Sequence, residues 1–143
     1  MTNLLHIAAA KGFAKEAQTY SRGRPDYPAE LDFWLANGVR IGRGTSCLDV
    51  GAGTGKFTRH LVASGARTFA VEPVGAMREQ LTADLPSVTA LNGAAQSIPL
   101  VDGAVDAVVC AQAFHWFADR NALEEVSYSL LKIYISFFQT KLK

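Results

Sequence analysis

Between Leu48 and Phe57 the chain reads Leu-Asp-Val-Gly-Ala-Gly-Thr-Gly-Lys-Phe. An apolar run ends beside an acid, Gly51, Gly53 and Gly55 alternate with Ala52 and Thr54, and a helical pattern begins at once. Glycine carries no Cβ, so the backbone can turn tightly here and lie against a ligand. The first turn of the helix that follows points unpaired N–H groups at whatever sits there. A strand that turns through glycines into a helix opens a βαβ unit, so this stretch predicts an α/β fold with a nucleotide-type cofactor loop.

Spacing separates the loop chemistries. A phosphate-gripping P-loop needs glycine, four residues, then Gly-Lys-Ser/Thr. Gly55-Lys56 supplies the lysine, but Val50 stands at the first glycine and Phe57 replaces the magnesium-binding hydroxyl. A dinucleotide fingerprint, G-x-G-x-x-G, places its last glycine on Lys56 when counted from Gly51. It fails at one position only and remains a rival. A third form, acid-x-G-x-G-x-G, fits at Asp49, Gly51, Gly53 and Gly55.

The rest of the chain supplies alternating strands and helices. Residues 1 to about 30 read as an irregular or partly helical lead ending in a turn-rich stretch, Arg22 to Pro28. Pro28 suits a helix start, and Leu31, Trp34, Leu35 and Val39 give that helix an apolar stripe. Residues 45–50 predict a strand, Lys56 to Ser64 a helix, Thr68 to Glu72 a strand, Gly75 to Asp84 a helix, Pro86 to Leu91 a strand and Val105 to Cys110 a fourth strand. Asp119 or Asn121 can cap a helix through Leu123, Val126 and Leu130. Such alternation predicts a Rossmann-like parallel sheet with flanking helices. The strands' near-continuous apolar character suits burial on both faces. We divide the single compact domain into a lead at 1–44, a core at 45–131 and an apolar, basic tail at 132–143.

Composition narrows the function classes. With 143 residues, 49% hydrophobic and 19% charged, the chain has the makeup of one globular domain. Lys plus Arg number 14 against 13 Asp plus Glu, so no charge excess argues for nucleic acid or an anionic membrane. Cys47 and Cys110 fall in predicted strands and read as buried small hydrophobes, and the three histidines show no metal spacing. Neither a signal peptide nor a membrane span is recognisable, and a cytoplasmic location is the expectation.

Glu72 ends the second strand, 21 positions beyond Gly51, where an acid in a Rossmann-like unit accepts hydrogen bonds from ribose hydroxyls. A solvated strand-end carboxylate is the alternative. With the acid-x-G-x-G-x-G loop, the chain resembles the class I S-adenosylmethionine-dependent methyltransferases, in which the acid after the second strand has the same job. The resemblance implies S-adenosylmethionine as cofactor, S-adenosylhomocysteine as product, and a binding set of Asp49, Gly51, Ala52, Gly53, Gly55, Glu72, Pro73 and Met77. The stretch Asn92 to Leu100 looks like the segment that holds adenine in small-molecule members. There the polar contact position falls on Ala94, which has no hydrogen-bonding side chain, Ala95 supplies a backbone N–H, and Gln96 takes the usual acidic place. A plain surface loop is the alternative.

The stretch Ala111 to Phe117 is similar to the His-Trp segment of the trans-aconitate and related methyltransferases. Ala111 and Gln112 then line the methionine arm, while His115 and Trp116 face the acceptor. A neutral His115 can orient or deprotonate an acceptor; a structural histidine among core aromatics is the equal alternative. The segment Tyr20 to Pro28 resembles that subgroup's lead, which places Tyr20 and Arg24 near the cofactor's carboxylate. A solvent-exposed arginine is the competing role for Arg24.

The resemblance runs from about residue 13 to 126 and then stops. A Lys-Pro-Gly-Gly-like turn, a fifth strand and two further strands belong next, yet no Gly or Pro follows Gly103. Ile133 to Phe138 suits either a fifth strand or more helix. The expectation is therefore a methyltransferase fold without its C-terminal strands, with a sheet edge open to self-association. Three functions follow in order: transfer of a methyl group to a small-molecule acceptor, a non-catalytic remnant that binds cofactor or a partner, and an NAD-type oxidoreductase fragment.

Overall fold

A computed structural model describes residues 27–110. Four strands, β1 (Ser46–Val50), β2 (Arg67–Val71), β3 (Thr89–Leu91) and β4 (Ala107–Val109), form a parallel sheet in the order β3-β2-β1-β4. β1 is registered with β2 from Ser46↔Arg67 to Val50↔Val71 and with β4 from Cys47↔Ala107 to Asp49↔Val109. The chain winds outward from β1 through β2 to β3, then returns to the other side of β1 as β4. Crevices for ligands open at such a reversal, outside the carboxyl ends of the strands. The glycine loop leaves β1 there.

Alternation along the strands divides the core. Leu48, Val50, Val71 and Val108 pack on one face with Ala95, Ile98 and Val105 from the segment between β3 and β4. Cys47, Ala107 and Val109 pack on the other with Leu31, Leu35, Phe57 and Leu61. Successive side chains of a strand point to opposite faces, so Asp49 shares the face of Cys47. The α-helices among the described residues are α1 (Glu30–Phe33), α2 (Thr58–Ala63) and α3 (Gly75–Asp84). α3 lays Leu81 against Ala70 of β2 and Val88.

The expected helix after Pro28 forms with the expected stripe, since Leu31, Leu35 and Val39 are buried. It widens after Phe33 into a π-helical turn, Trp34–Gly38, closed by the Val39 N–H on the Trp34 carbonyl at 3.1 Å. Gly38 lies against the Trp34 ring, where a Cβ would stand 2.8 Å from Cδ1. α3 keeps its expected bounds. α2 starts two residues later than Lys56, because Gly55 at φ +93° is outside helical space and its N–H closes a turn on Ala52. β3 starts at Thr89 rather than Pro86, since residues 85–88 turn, with the Val88 N–H on the Leu85 carbonyl.

Cys47 and Cys110 are free and buried, as expected. Burial pushes their thiols up, to about 11 and about 12, so both are inert at neutral pH. Among the described residues no helix is long and apolar enough to cross a membrane, and no cluster of three metal-ligating side chains occurs. The helix expected after Asp119 and the tail lie outside the described residues.

Candidate functional site

In the loop from Val50 to Phe57, the N–H groups of Gly51, Ala52, Gly53 and Gly55 are spent within the protein. The N–H groups of Gly51 and Ala52 both reach the Val71 carbonyl, at 2.9 and 3.2 Å, so the loop is pinned to the end of β2. The Gly55 N–H returns to the Ala52 carbonyl at 3.0 Å. The Gly53 N–H donates to Glu72 Oε2 at 2.8 Å. Gly53 and Gly55, at φ +60° and +93°, make this path accessible without strain. At Gly55 a Cβ would also stand 3.1 Å from Leu85 Cδ1 and 3.2 Å from Leu81 Cγ.

Glu72 is the acid that meets the loop directly. Its second oxygen, Oε1, accepts the Val74 N–H at 3.0 Å, and its own N–H continues the sheet to the Leu91 carbonyl. The residue is 6% exposed. Burial pushes its carboxyl above the ordinary value, while the Val74 and Gly53 N–H groups and the Arg78 guanidinium pull the other way. Arg78 Nη1 donates to the Glu72 carbonyl at 2.7 Å and to Asn92 Oδ1 at 3.3 Å.

Beneath the loop, Asp49 is 1% exposed and accepts the Thr58 hydroxyl at 2.7 Å. Burial lifts its carboxyl to about 7, against the Thr58 bond and with help from the nearby Glu72 charge. Its side chain therefore supports the turn from the α2 side. Met77 and Ala95, each 2% exposed, likewise turn their side chains into the packing, whereas Pro73 is exposed.

The segment after β3 forms a tight turn in which Ala94 and Ser97 exchange backbone bonds of 3.4 and 3.0 Å. Ala95 and Ile98 plug the core from this turn, and Gln96 is exposed. Gly93 is squeezed, since a Cβ would stand 2.8 Å from Pro99 Cδ and 3.0 Å from the Ser97 carbonyl. The structure thus brings Gly51, Ala52, Gly53, Gly55, Glu72 and the turn at Ala94–Gln96 to one edge of the sheet. Tyr20, Arg24, Ala111, Gln112 and His115 lie outside the described residues.

Sequence reasoning passed over Thr54, Thr58 and Arg78. Thr54 Oγ1 is buried without a hydrogen-bond partner among the described residues. A hydroxyl between two loop glycines was its only sequence signal. Thr58 was legible only as a helix residue, because its partner Asp49 is nine positions away. A hollow of about 420 Å3 opens elsewhere, between the π-helical turn and the end of α2, lined by Asp32, Arg40, Arg43 and His60 among others. Its polar pair, His60 Nδ1 on Asp32 Oδ1 at 2.8 Å, leaves Asp32 62% exposed. It shares no residue with the loop or Glu72 and is a surface cleft.

Known proteins agree with this geometry. The profile of a family described as "Methyltransferase domain" matches residues 48–132. An uncharacterised methyltransferase of Mycobacterium tuberculosis is 45% identical over 117 residues, which are 80% of this chain and 46% of that protein. An uncharacterised methyltransferase-like protein of Schizosaccharomyces pombe is 39% identical over 123 residues, 85% of this chain and 48% of its own. The chain therefore spans about half the length of the curated relatives it matches. Among solved structures, a candidate methyltransferase from an antibiotic biosynthesis pathway of Anabaena variabilis superposes with a TM-score of 0.69 at 29% identity, covering 82% of this chain and 48% of that one. A candidate S-adenosylmethionine-dependent methyltransferase of Methanococcus maripaludis shares the fold, with a TM-score of 0.70 at 22% identity, over 90% of this chain and 62% of that one. With the family profile matching more than half of it on the glycine-loop sheet, the chain belongs to the methyltransferase-domain family.

Proposed function

We propose that the chain binds S-adenosylmethionine at the glycine loop and carries the cofactor half of a methyl transfer to a small-molecule acceptor. One observation carries the choice of cofactor: the Glu72 carboxylate occupies the Gly53 N–H. A pyrophosphate needs free loop N–H groups and tolerates no carboxylate on them. Here the N–H groups of Gly51, Ala52, Gly53 and Gly55 are all spent within the protein. A phosphate-free cofactor with a ribose diol and a positive sulfonium suits a site whose nearest charge is negative. This counts against the NAD-type alternative that spacing had left open.

The cofactor, when bound, supplies an activated methyl group on sulfur. Glu72 keeps lone pairs for ribose hydroxyls beyond the two that its backbone donors use. The loop permits close backbone approach at Gly51 and Gly53. Among the described residues no acceptor meets the Ala95 N–H, which leaves it available to an adenine edge. The buried, unpaired Thr54 hydroxyl fits a loop that adjusts on binding, since an unsatisfied polar group costs about 1–3 kcal/mol until it finds a partner. Tyr20, Arg24, Ala111 and Gln112 complete the methionine side in this proposal, and His115 orients or deprotonates the acceptor. Alignment then does most of the catalytic work.

The formal charge of +1 supports a small acceptor over nucleic acid, as does the likeness to a protein described as belonging to an antibiotic biosynthesis pathway. Separate calorimetric titrations with S-adenosylhomocysteine and NAD test the cofactor. Micromolar binding of the first alone is expected, and binding of NAD alone would sink the proposal. Transfer from a labelled methyl donor to a panel of small acceptors, absent with RNA and protein, tests the acceptor class.

A further inference from the structure

Arg78 stands in an electrostatically wrong place. It is the fourth residue of α3, whose first turn contains no acid, and its guanidinium folds back toward the helix start, with Nη2 3.8 Å from where a Gly75 Cβ would be. A cation beside the positive end of a helix is unfavourable. What offsets that cost is the end of β2: Nη1 sits 2.7 Å from the Glu72 carbonyl and 3.3 Å from Asn92 Oδ1, the residue that follows β3. One guanidinium therefore ties the strand end that presents Glu72 to the strand end that leads into the Ala94–Gln96 turn.

We infer that Arg78 is a positioning residue of the cofactor site: it fixes the Glu72 main chain against β3 and supplies the positive charge that keeps the Glu72 carboxylate an ionised acceptor for the ribose diol. This rests on the proposed S-adenosylmethionine site. The groups around Glu72 show why a cation is needed. From the loop and from the start of α3 it accepts the neutral N–H donors of Gly53 and Val74. On β1 the Asp49 carboxyl and Glu72 oppose each other's charge, and the neutral amide of Asn92, just after β3, meets Arg78 itself. Among these described groups Arg78 is the cation, and burial works against the charge it protects. Lysine is not its equivalent, because both bonds come from Nη1 at the end of a longer planar group, and a compact ammonium on a shorter stem does not hold that place.

The test is S-adenosylhomocysteine affinity of the 143-residue chain from pH 5.5 to 8.5, by calorimetry, for wild type, Arg78→Gln, Arg78→Lys and Glu72→Gln. Wild type is expected to lose affinity as pH falls, because protonated Glu72 accepts poorly. Arg78→Gln removes the charge, and its shorter amide stops short of the place that Nη1 holds. Its loss should begin at higher pH, with binding at the acidic end of the range weaker than wild type by at least about threefold. Arg78→Lys should keep the wild-type pH midpoint with a uniformly lower affinity, and Glu72→Gln should bind weakly with this pH dependence gone. An Arg78→Gln profile that overlays wild type overturns the inference. Should Arg78→Gln fail to fold, Arg78→Lys decides it, since a midpoint displaced upward despite the retained charge also overturns it. If wild type binds no S-adenosylhomocysteine at any pH, the proposed cofactor site falls instead.

Discussion

The Glu72 carboxylate bridges two backbone donors, Gly53 N–H at 2.8 Å and Val74 N–H at 3.0 Å, and so locks the end of β2 to the loop that leaves β1. One side chain thereby shapes the loop and places a negative charge beside it. Glu72→Gln keeps the size but replaces one oxygen with a donor that faces an N–H. Charge-assisted bonds of this kind are worth about 1.5–3 kcal/mol each. The variant should bind S-adenosylhomocysteine about tenfold to a hundredfold more weakly at pH 8. Affinity within twofold of wild type by calorimetry would show that Glu72 does not reach the ligand.

Asp49 makes stability fall as pH rises. Its folded-state value of about 7 lies above the ordinary 3.8, so the native chain holds this proton more tightly than the unfolded chain does. The contribution is full below pH 4, is lost between about 4 and 7, and is flat above that. It amounts to roughly 4 kcal/mol if Asp49 titrates alone. Glu72, also raised, adds a slope of the same sign. Asp49→Asn should therefore be more stable relative to wild type at pH 8 than at pH 5 in urea melts. An equal difference at both pH values would contradict this assignment.

Thr58 donates to Asp49 at 2.7 Å from inside the core. Removing the hydroxyl strands an acceptor, which costs about 1–3 kcal/mol. Thr58→Val should cost most above pH 7, where Asp49 is ionised, and less near pH 5. Chemical denaturation at the two pH values reads this directly, and a pH-independent loss would point to packing alone.

Gly93 has no room for a Cβ, with Pro99 Cδ at 2.8 Å and the Ser97 carbonyl at 3.0 Å. Overpacking of this sort costs about 1–3 kcal/mol. Gly93→Ala should lower the unfolding midpoint and, by displacing the Ala94–Ser97 turn, weaken S-adenosylhomocysteine binding. Unchanged binding in a destabilised variant would remove this turn from the proposed adenine contact.

Much of the core was legible from local pattern. Alternating apolar stretches predicted β1 and β2 to within a residue at each end, and Gly75 to Asp84 predicted α3, because periodicity and glycine spacing are properties of contiguous residues. Two boundaries moved where a backbone constraint outranked apolar character, and the strand expected from Val105 to Cys110 forms only over Ala107–Val109. Gly55 at φ +93° held back the start of α2, and the turn after Leu85 shortened β3.

Within the site, the sequence by itself determined the glycine loop, the acid at position 72 and the order in which they occur. Only the tertiary structure decided that Glu72 turns back onto the Gly53 N–H, that Thr58 reaches Asp49, and that Arg78 spans from Glu72 to Asn92. These partners come from different strands and helices, so their pairing depends on strand order and register, which no local pattern carries. The same folding decides the chemistry. A glycine loop with free N–H groups would suit a pyrophosphate, and the carboxylate brought onto that loop by the β1–β2 pairing is what the proposed ribose and sulfonium site rests on.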